Sequence, residues 1–349
     1  MSCFSIKWRS KYSRTTTNIN QNKYLIKITS INDNRKMNEI NAEETQYLYV
    51  ILPYFNFCNS TRRKKLFIEF TDRIKKTDNI KIVIAEATID GNGYDLDSQS
   101  DDIFMHLGFK LKHQLWCKEN IINLAIEKLP SSWEYVAWID ADITFLNDTW
   151  VFDTLEELKR YDFIQLFQTA VHLGPENESF KIDKSFGYMH QKSNTDWIPS
   201  AKYGFWHCGF AWACTKQAYT RLNGLIDYAI LGASDHHMAL AFIQKVKSSY
   251  PGGMHKEYIE RLHDFQDLVR IYKISLGYIP GTILHHWHGR LEDRKYVERW
   301  DIFTKHNFNP AVDLIKTEDG LIQLSEIGER MEEDLKQYFI DRNEDNMIA

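Results

Sequence analysis

Residues 134–145 read EYVAWIDADITF, an apolar run that leads directly into two acids, Asp140 and Asp142. The run has the length and composition of a buried strand. Side chains at i and i+2 of an extended chain point the same way, so both carboxylates are expected together beyond the strand. Two such acids repel each other unless a cation separates them or one keeps its proton. Aspartate is also common in turns, but this context predicts ligands for Mg²⁺ or Mn²⁺, which accompany diphosphates.

Two earlier apolar runs, at residues 47–55 and 80–87, predict strands covered on both faces. Residues 61–75 and 114–130 have apolar side chains at spacings of three and four, which predicts helices. The order strand, helix, strand, helix, strand is typical of a largely parallel sheet with helices on both faces. We therefore predict an α/β fold: one large domain with a mixed, mostly parallel sheet flanked by helices. Ligands bind at the carboxyl ends of such strands.

The second half of the chain is less regular. Residues 172–203 show little apolar periodicity and are predicted to form a long loop, which in compact domains is usually functional or disordered. Residues 230–243 predict a turn that enters a helix, and residues 278–290 predict a strand that ends in histidines. The polar ends of these segments are candidates for the site.

The stretch HHWHGR begins at His285 and follows the last predicted strand. His286 and His288 are again at i and i+2, so either could supply the imidazole that Mn²⁺ accepts more readily than Mg²⁺ does. Arg290 and Arg294 add positive charge that could stabilise a departing phosphate. The acids and the histidines together are more informative than either group alone.

Asp235 lies in the stretch GASDHHMAL, where a helix is predicted to start. Aspartate is a preferred helix cap, and the residues alone favour this structural role. The competing role is a general base that takes a proton from an attacking hydroxyl.

The charge of the chain is unevenly distributed. The net charge is −5 over 349 residues, yet the first 36 residues contain eight Lys or Arg and one Asp. Such a leader could bind nucleic acid or acidic membrane, but a disordered tail is the simpler interpretation, and we expect no nucleic-acid partner. Translation from Met37 would leave this segment out.

These features together resemble glycosyltransferases of the GT-A fold, over residues 47–299. The resemblance rests on a strand that ends near an Asn, an acid after the second strand, DAD after the third, an acid in a Gly-rich turn and a late His-containing strand. Several segments are similar to an uncharacterised group of GT-A-like proteins from bacteria, phages and large DNA viruses: WCKENIINLAIEKLP, WEYVAWIDADITF, GFAWACTKQAY, AILGASDHHMALAFI, GTILHHWHGRLEDRKYVERW and RNED.

The resemblance implies a site for a nucleotide diphosphate. Asp140 and Asp142 would hold Mn²⁺ or Mg²⁺ on the diphosphate, and either His286 or His288 would complete the metal site. Asp140 would thereby also contact the nucleotide. The resemblance implies four further nucleotide-binding residues: Asn56, Glu86, Lys118 and Asn120.

The same resemblance makes Asp235 the general base, and the positive charge of Arg290 makes it the expected catalytic residue that stabilises the leaving group. Inverting relatives often present paired acids where this chain has SDHH, which leaves the base and the stereochemistry open. The expected function is metal-dependent transfer of a sugar from a nucleotide diphosphate sugar, with a UDP-sugar and inversion favoured, to a hydroxyl of a glycan, protein or small molecule. The alternatives are a sugar-phosphate nucleotidyltransferase, whose basic Gly-rich loop is not seen after the first strand, and an inactive carbohydrate- or nucleotide-binding protein.

The expected domain organisation has four parts: a basic, disordered leader (1–45), a nucleotide-binding half (46–146), an acceptor and catalytic half (147–310) and a C-terminal helical extension (311–349). Five cysteines without a C-x-x-C pair argue against a disulfide framework or a cysteine zinc site. No run approaches 18 apolar residues and no early apolar signal region is found, so no transmembrane segment is expected. A cytoplasmic location, in a cell or a virus-infected host, is the expectation.

Overall fold

The computed structural model describes residues 46–96, 104–192 and 206–347. The predicted leader, residues 1–45, lies outside the described part of the chain. So do residues 193–205, which belong mostly to the predicted long loop.

Strands and helices of the described chain are numbered here in chain order. The strands are β1 (Leu48–Phe55), β2 (Ile80–Ile89), β3 (Phe104–Leu111), β4 (Tyr135–Ile139), β5 (Ile143–Phe145), β6 (Phe163–Gln165), β7 (Thr169–Leu173), β8 (Ser179–Ser185), β9 (Trp206–His207), β10 (Ala211–Thr215), β11 (Leu276–Tyr278), β12 (Thr282–His285), β13 (Leu314–Lys316) and β14 (Ile322–Leu324). The helices are α1 (Thr61–Ile74), α2 (Lys118–Glu127), α3 (Trp150–Leu158), α4 (Phe186–Lys192), α5 (Lys216–Arg221), α6 (Ser234–Phe242), α7 (Lys256–Tyr272), α8 (Trp300–Lys305), α9 (Pro310–Asp313) and α10 (Glu332–Asp341).

Within the described residues, the main sheet has seven strands in the order β11-β6-β10-β4-β1-β2-β3. Strands β4, β1, β2 and β3 run parallel. Strand β10 runs antiparallel to both of its neighbours, β4 and β6, whereas β11 is parallel to β6. The predicted α/β class, with a mixed and mostly parallel sheet, is confirmed.

Apolar side chains cover both faces of the main sheet, because successive residues of a strand point to opposite faces. In β1, Leu48, Val50 and Leu52 pack on one face in a cluster with residues of α1 and α3. Ile51 and Phe55 pack on the other face with residues of α2, α6 and α7. Helices therefore flank the sheet on both sides, which explains why this strand is a continuous apolar run.

A second sheet of described strands has the order β5-β12-β7-β8-β9. Strand β12 pairs antiparallel with β5 and parallel with β7, and its register places His285 opposite Ile143 on one side and His172 on the other. Because Asp142 directly precedes Ile143, this pairing brings the acids after β4 next to the histidines after β12. The chain crosses from one sheet to the other at residues 140–142.

The described elements differ from the expectations in three places. Strand β3 was not expected; it lies at the edge of the main sheet, where many of its side chains are partly exposed, and so lacks a continuous apolar run. The predicted loop at 172–203 contains the end of β7 and all of β8 and α4. The C-terminal extension contains α10 but also an antiparallel pair of strands, β13 and β14.

Strand β8 shows why a pattern can mislead. Phe180 and Ile182 are exposed, whereas Asp183 is buried. Apolar residues therefore point outward and a charged residue points inward, which reverses the usual alternation of a half-buried strand. A buried acid of this kind needs a partner, and Asp183 has two, described below.

Strands from residues 46–146 and 147–310 pair with each other in both large sheets, as β4 with β10 and β5 with β12. These two predicted halves therefore share their cores within one domain. None of the helices in the described ranges is long and apolar enough to cross a membrane.

Candidate active site

A cavity of about 330 Å³ lies at the carboxyl ends of β1 and β4, where ligands bind in α/β sheets. The start of α2, the turn before α6 and the segment after β12 also line it. Its described acidic residues are Glu119, Asp140, Asp142 and Asp235. Its described Lys and Arg residues are Arg63, Lys118, Lys181, Arg294, Arg299 and Arg342.

One carboxylate and two imidazoles converge in this cavity. Asp142 Oδ2 lies 2.7 Å from His288 Nε2 and 3.8 Å from His285 Nε2, and the two imidazole nitrogens lie 3.2 Å apart. Asp142 Oδ1 is buried and has no hydrogen-bond partner among the described residues. A divalent cation would satisfy this oxygen and hold the three groups together. Two imidazoles with one carboxylate suit Mn²⁺ better than Mg²⁺, which prefers oxygen ligands.

The protonation states of these three side chains suit metal binding. Burial alone would raise the pKa of Asp142, but His288, His285 and Arg294 outweigh burial and hold this pKa well below its usual range. Burial lowers the pKa of His285 and of His288. A carboxylate held ionised can bind a metal ion directly, and imidazoles with a lowered pKa give up a proton to a metal ion more readily.

Asp140 lies beside this cluster but is engaged differently. Its carboxylate forms an ion pair with Lys118. Burial raises the pKa of Asp140, although Lys118 opposes this effect. Burial by itself lowers the pKa of Lys118, but Asp140, Glu119 and Asp235 outweigh it and raise this pKa above its usual value. Lys118 is therefore charged. Of the two predicted acids, Asp140 contacts the Lys118 ammonium group, whereas Asp142 contacts His285 and His288.

His286, predicted as one of two alternative metal ligands, does not join the cluster. Its Nε2 lies 2.8 Å from Thr144 Oγ1 on β5. The cluster uses His285 and His288 instead, because the chain turns after β12 and brings residues i and i+3 together. The i, i+2 rule holds only while the chain stays extended, and no sequence pattern marks where β12 ends within HHWH.

Asn56 and Glu86, predicted to contact the nucleotide, are instead joined through Asp95. Asn56 Nδ2 donates to Asp95 Oδ2 at 2.9 Å, and Asn56 Oδ1 accepts from Ser60 N at 2.7 Å. The buried Glu86 carboxylate accepts from the backbone N–H of Asp95 at 2.5 Å and contacts His106 Nε2 at 2.8 Å. Both side chains thus hold the backbone around the site, and neither is among the described residues that line the cavity.

Asn120 also has a structural role. Its Oδ1 accepts from Ile322 N at 3.0 Å and its Nδ2 donates to Gly320 O at 3.2 Å. It therefore ties α2 to the start of β14 and, unlike Lys118 two residues earlier, is not among the described lining residues.

Asp235 is the second residue of α6 and lines the cavity. The N-cap of this helix is Ala233, so Asp235 is not the capping residue. Gly232 and Ala233 both have positive φ, +84° and +78°. For alanine this conformation costs roughly 1–3 kcal/mol, a strain that clusters at functional sites. A Cβ at Gly209 would lie 2.8 Å from Asp235 Oδ2, so the neighbouring backbone also passes close to this carboxylate.

Glu119 is a buried acid of the cavity that the sequence reasoning did not select. Burial raises its pKa to about 7; Lys118 opposes this rise and Asp235 adds to it. Glu119 and Asp235 therefore place two carboxyl groups in one cavity.

Arg290, predicted as catalytic, pairs with Asp293 at 3.2 Å and is not among the described lining residues. Arg294 occupies the cavity instead, with Nη2 2.9 Å from His288 Nε2. A short 3₁₀ turn at Glu292–Arg294 directs the chain back toward the site. Spacing alone did not distinguish the two arginines.

Residues 342–346, here called the C-terminal clasp, reach the cavity through Arg342. Glu344 accepts two hydrogen bonds from Arg63, both 2.6 Å long, and one of 3.0 Å from Arg342. Both arginines line the cavity. Asp345 accepts from two backbone N–H groups at the start of α1, at 2.9 and 3.0 Å, where the helix dipole favours an anion.

The C-terminal clasp also contacts the histidine segment. Trp287 Nε1 donates to Asn346 O at 2.7 Å. Gly289 has φ +90°, and a Cβ there would lie 2.9 Å from Asn343 O. A glycine directly after His288 therefore permits both the turn and the close approach of the clasp.

We expect Glu344→Gln to lower the free energy of unfolding by about 3 kcal/mol, since it leaves the buried Arg342 guanidinium and the partly buried Arg63 guanidinium without their anion. Burial alone would raise the pKa of Glu344, but Arg63 and Arg342 outweigh it and hold the pKa well below its usual range. A carboxyl with a depressed folded-state pKa stabilises the fold above its unfolded pKa and loses this effect as pH falls. Denaturant unfolding at neutral and acid pH should show the difference from wild type shrinking below about pH 4.

Glu333→Gln is the matched control, because the Glu333 side chain is 89% exposed and pairs with Lys336 at 3.3 Å. Its stability should stay close to that of wild type at every pH. If Glu344→Gln is as stable as this control, the clasp contributes no measurable stability.

Comparisons with known proteins give a broad structural likeness. No family model and no curated protein matches the chain. A Drosophila β1,4-galactosyltransferase 7 mutant in complex with manganese, UDP-Gal and xylobiose is 12% identical, with 80% of this chain and 94% of that chain covered and a TM-score of 0.40. A Pyrobaculum calidifontis mannosyltransferase with GDP-Man and Mn²⁺ is 14% identical, with 76% and 62% covered and a TM-score of 0.38.

The mannosyl-3-phosphoglycerate synthase from Rubrobacter xylanophilus is 10% identical, with 80% of this chain and 84% of that chain covered and a TM-score of 0.36. TM-scores of 0.40 or lower do not by themselves establish a common function. The side chains of the cavity have to carry the functional assignment.

Proposed function

We propose that this protein is a metal-dependent glycosyltransferase. It would move a sugar from a nucleotide diphosphate sugar, with UDP-sugars the first candidates, to a hydroxyl group of a glycan, protein or small molecule, with inversion. One observation carries the proposal: Asp142, His285 and His288 converge inside a cavity at the carboxyl ends of a mostly parallel sheet, and Asp142 Oδ1 is buried there without a hydrogen-bond partner among the described residues.

In this proposal Asp142, His285 and His288 hold the cation, Mn²⁺ or Mg²⁺. A cation at this point would neutralise negative charge on the leaving diphosphate. Arg294 would add fixed positive charge on the same side, in the role first expected of Arg290. Lys118 would stay charged through its ion pair with Asp140. Asn56, Glu86 and Asn120 would support the nucleotide side of the cavity through the backbone.

Asp235 would accept the proton of the acceptor hydroxyl while that oxygen attacks the anomeric carbon and the bond to the diphosphate breaks. Two observations support this role: its place in the cavity and the strained turn that positions it. Glu119 on α2 would be the second acid. Inverting relatives, in contrast, often have the two acids next to each other in sequence. Its raised pKa would keep it partly protonated near neutral pH.

A thermal-shift screen of nucleoside diphosphates and nucleotide sugars, with and without Mn²⁺, tests the proposal. Binding to the native state alone stabilises it by about 2.7 kcal/mol at a ligand concentration of 100 Kd. A UDP-sugar should therefore raise the unfolding temperature, and more so with Mn²⁺. The absence of a shift with every nucleotide, in both conditions, would contradict the assignment.

Two further results would redirect the assignment. Release of pyrophosphate from a nucleoside triphosphate and a sugar phosphate would favour a nucleotidyltransferase. Binding of nucleotide and Mn²⁺ without transfer or hydrolysis for any acceptor would favour an inactive binding protein.

A further inference from the structure

Beyond the three cation ligands, a chain of hydrogen bonds runs from His285 across the second sheet. His285 Nδ1 lies 3.1 Å from His172 Nδ1. His172 Nε2 lies 2.9 Å from Asp183 Oδ2, and Lys181 Nζ lies 2.8 Å from the same oxygen. His172, Asp183 and His285 are all buried, with 3%, 2% and 5% of their surface exposed.

Sheet pairing sets this alignment. His172 on β7 is directly opposite His285 on β12, and Asp183 on β8 is opposite Ala170, two residues before His172. Directly opposite and diagonal side chains on neighbouring strands are close enough to interact. The outward placement of Phe180 and Ile182 on β8 follows, because Lys181 and Asp183 occupy the inner face.

The chemistry of the partners determines where the protons lie. Two partners hold Asp183 ionised: burial alone would raise its pKa, but the hydrogen bonds from His172 and Lys181 outweigh burial and lower this pKa to about 2. An ionised carboxylate can only accept, so His172 Nε2 donates to it. When His172 carries its single ring proton on Nε2, its Nδ1 has the lone pair, and His285 Nδ1 is then the donor in the 3.1 Å contact between the two rings.

We infer that Asp183 and His172 are positioning residues which fix His285 as its Nδ1–H tautomer and so direct the lone pair of His285 Nε2 at the cation site. This inference rests on the proposed function, because it assigns a purpose to that lone pair. In many metal sites a carboxylate accepts a hydrogen bond directly from a metal-binding histidine and so orients it. Here His172 lies between the carboxylate of Asp183 and the proposed ligand His285.

Nitrogen-15 NMR of the metal-free, histidine-labelled protein tests the tautomer. The signals of His285 are assigned by their loss in His285→Gln. We expect the Nδ1–H form at His285 and the Nε2–H form at His172. A proton on His285 Nε2, or a doubly protonated His172, would overturn the inference whether or not the protein binds a metal.

Mn²⁺ binding, followed by the electron paramagnetic resonance signal of the free ion, tests the consequence. Asp183→Asn should weaken Mn²⁺ binding about 10- to 100-fold, as is usual for partners of metal ligands. Asp162→Asn is the control; it removes a carboxylate that accepts two hydrogen bonds from Ser275, at 2.7 and 2.8 Å, and that is not among the described lining residues. It should bind Mn²⁺ as wild type does.

A conservative replacement separates orientation from folding. His172→Gln keeps an oxygen that can accept from His285 Nδ1, so it should retain more Mn²⁺ affinity than His172→Leu at comparable unfolding temperature. Equal affinity of the two variants, or wild-type affinity in Asp183→Asn, would overturn the inference while leaving the cation site in place. Absence of Mn²⁺ binding in wild type would instead contradict the proposed function. The tautomers of His285 and His172, measured by NMR in the metal-free protein, would still test the inference.

Discussion

Asp142→Ala is expected to abolish Mn²⁺-dependent binding of a nucleotide sugar and to reduce sugar transfer by more than about 100-fold. Loss of an outer partner of a metal ligand typically costs about 10- to 100-fold in affinity or activity, and Asp142 is placed as a direct ligand. The substitution removes the carboxylate between His285, His288 and Arg294. Mn²⁺ titration and transfer assays over a range of Mn²⁺ concentrations measure the effect.

The control for this prediction is Asp148→Ala, six residues further along the same segment. Asp148 is exposed and is not among the described residues that line the cavity. This variant should keep wild-type Mn²⁺ affinity. Undiminished Mn²⁺-stimulated turnover in Asp142→Ala, with the unfolding temperature unchanged, would remove Asp142 from the site.

Asp235→Asn is expected to retain donor binding and to lose transfer by about 10²- to 10⁴-fold, the range for removal of a general base. Asparagine keeps the size of the side chain and the acceptor for His236 N, 2.8 Å from Asp235 Oδ1, so the turn before α6 should stay intact. Donor affinity and the rate of transfer are measured separately. A base lost in this way lowers kcat and leaves the dissociation constant of the donor nearly unchanged.

A partly buried acid outside the cavity, Asp227, provides the comparison for Asp235. Asp227→Asn removes a carboxylate that pairs with Lys316 at 2.9 Å and is not among the described lining residues. Its transfer rate should match wild type. If donor binding collapses in Asp235→Asn together with transfer, Asp235 acts through the conformation of the turn, and the role of base passes to another group.

Local sequence patterns predicted the elements that bury apolar surface. The strands at β1, β2 and β4 and the helices α1 and α2 follow from continuous or periodic apolar residues, because their neighbours cover them on both faces. Strands β3 and β8 were not predicted, since one lies at an edge and the other points its apolar residues outward. Their pairing comes from neighbours that are distant in the chain.

The candidate site likewise contains residues that the sequence predicted and residues that it did not. The acids at 140 and 142 and the histidine stretch were recognised from residue type and spacing, whereas the acid at 235 was selected through the family resemblance, since residue type alone favoured a helix cap. The choice of His285 and His288 over His286, and of Arg294 over Arg290, depends on where the chain turns after β12. Glu86 looked like a ligand-binding acid, but its carboxylate is engaged by backbone N–H groups and His106.

By itself, then, the sequence determined the α/β class, the mostly parallel sheet and the presence of acids and histidines at strand ends, because burial and chain direction leave periodic marks. Only the tertiary structure decided which of these side chains share the cavity. Strand register places His285 between Asp142 and His172, and the C-terminal clasp places Arg63 beside Arg342 across nearly 280 residues of chain. Such contacts depend on pairing between distant segments, for which a single sequence contains no local signal.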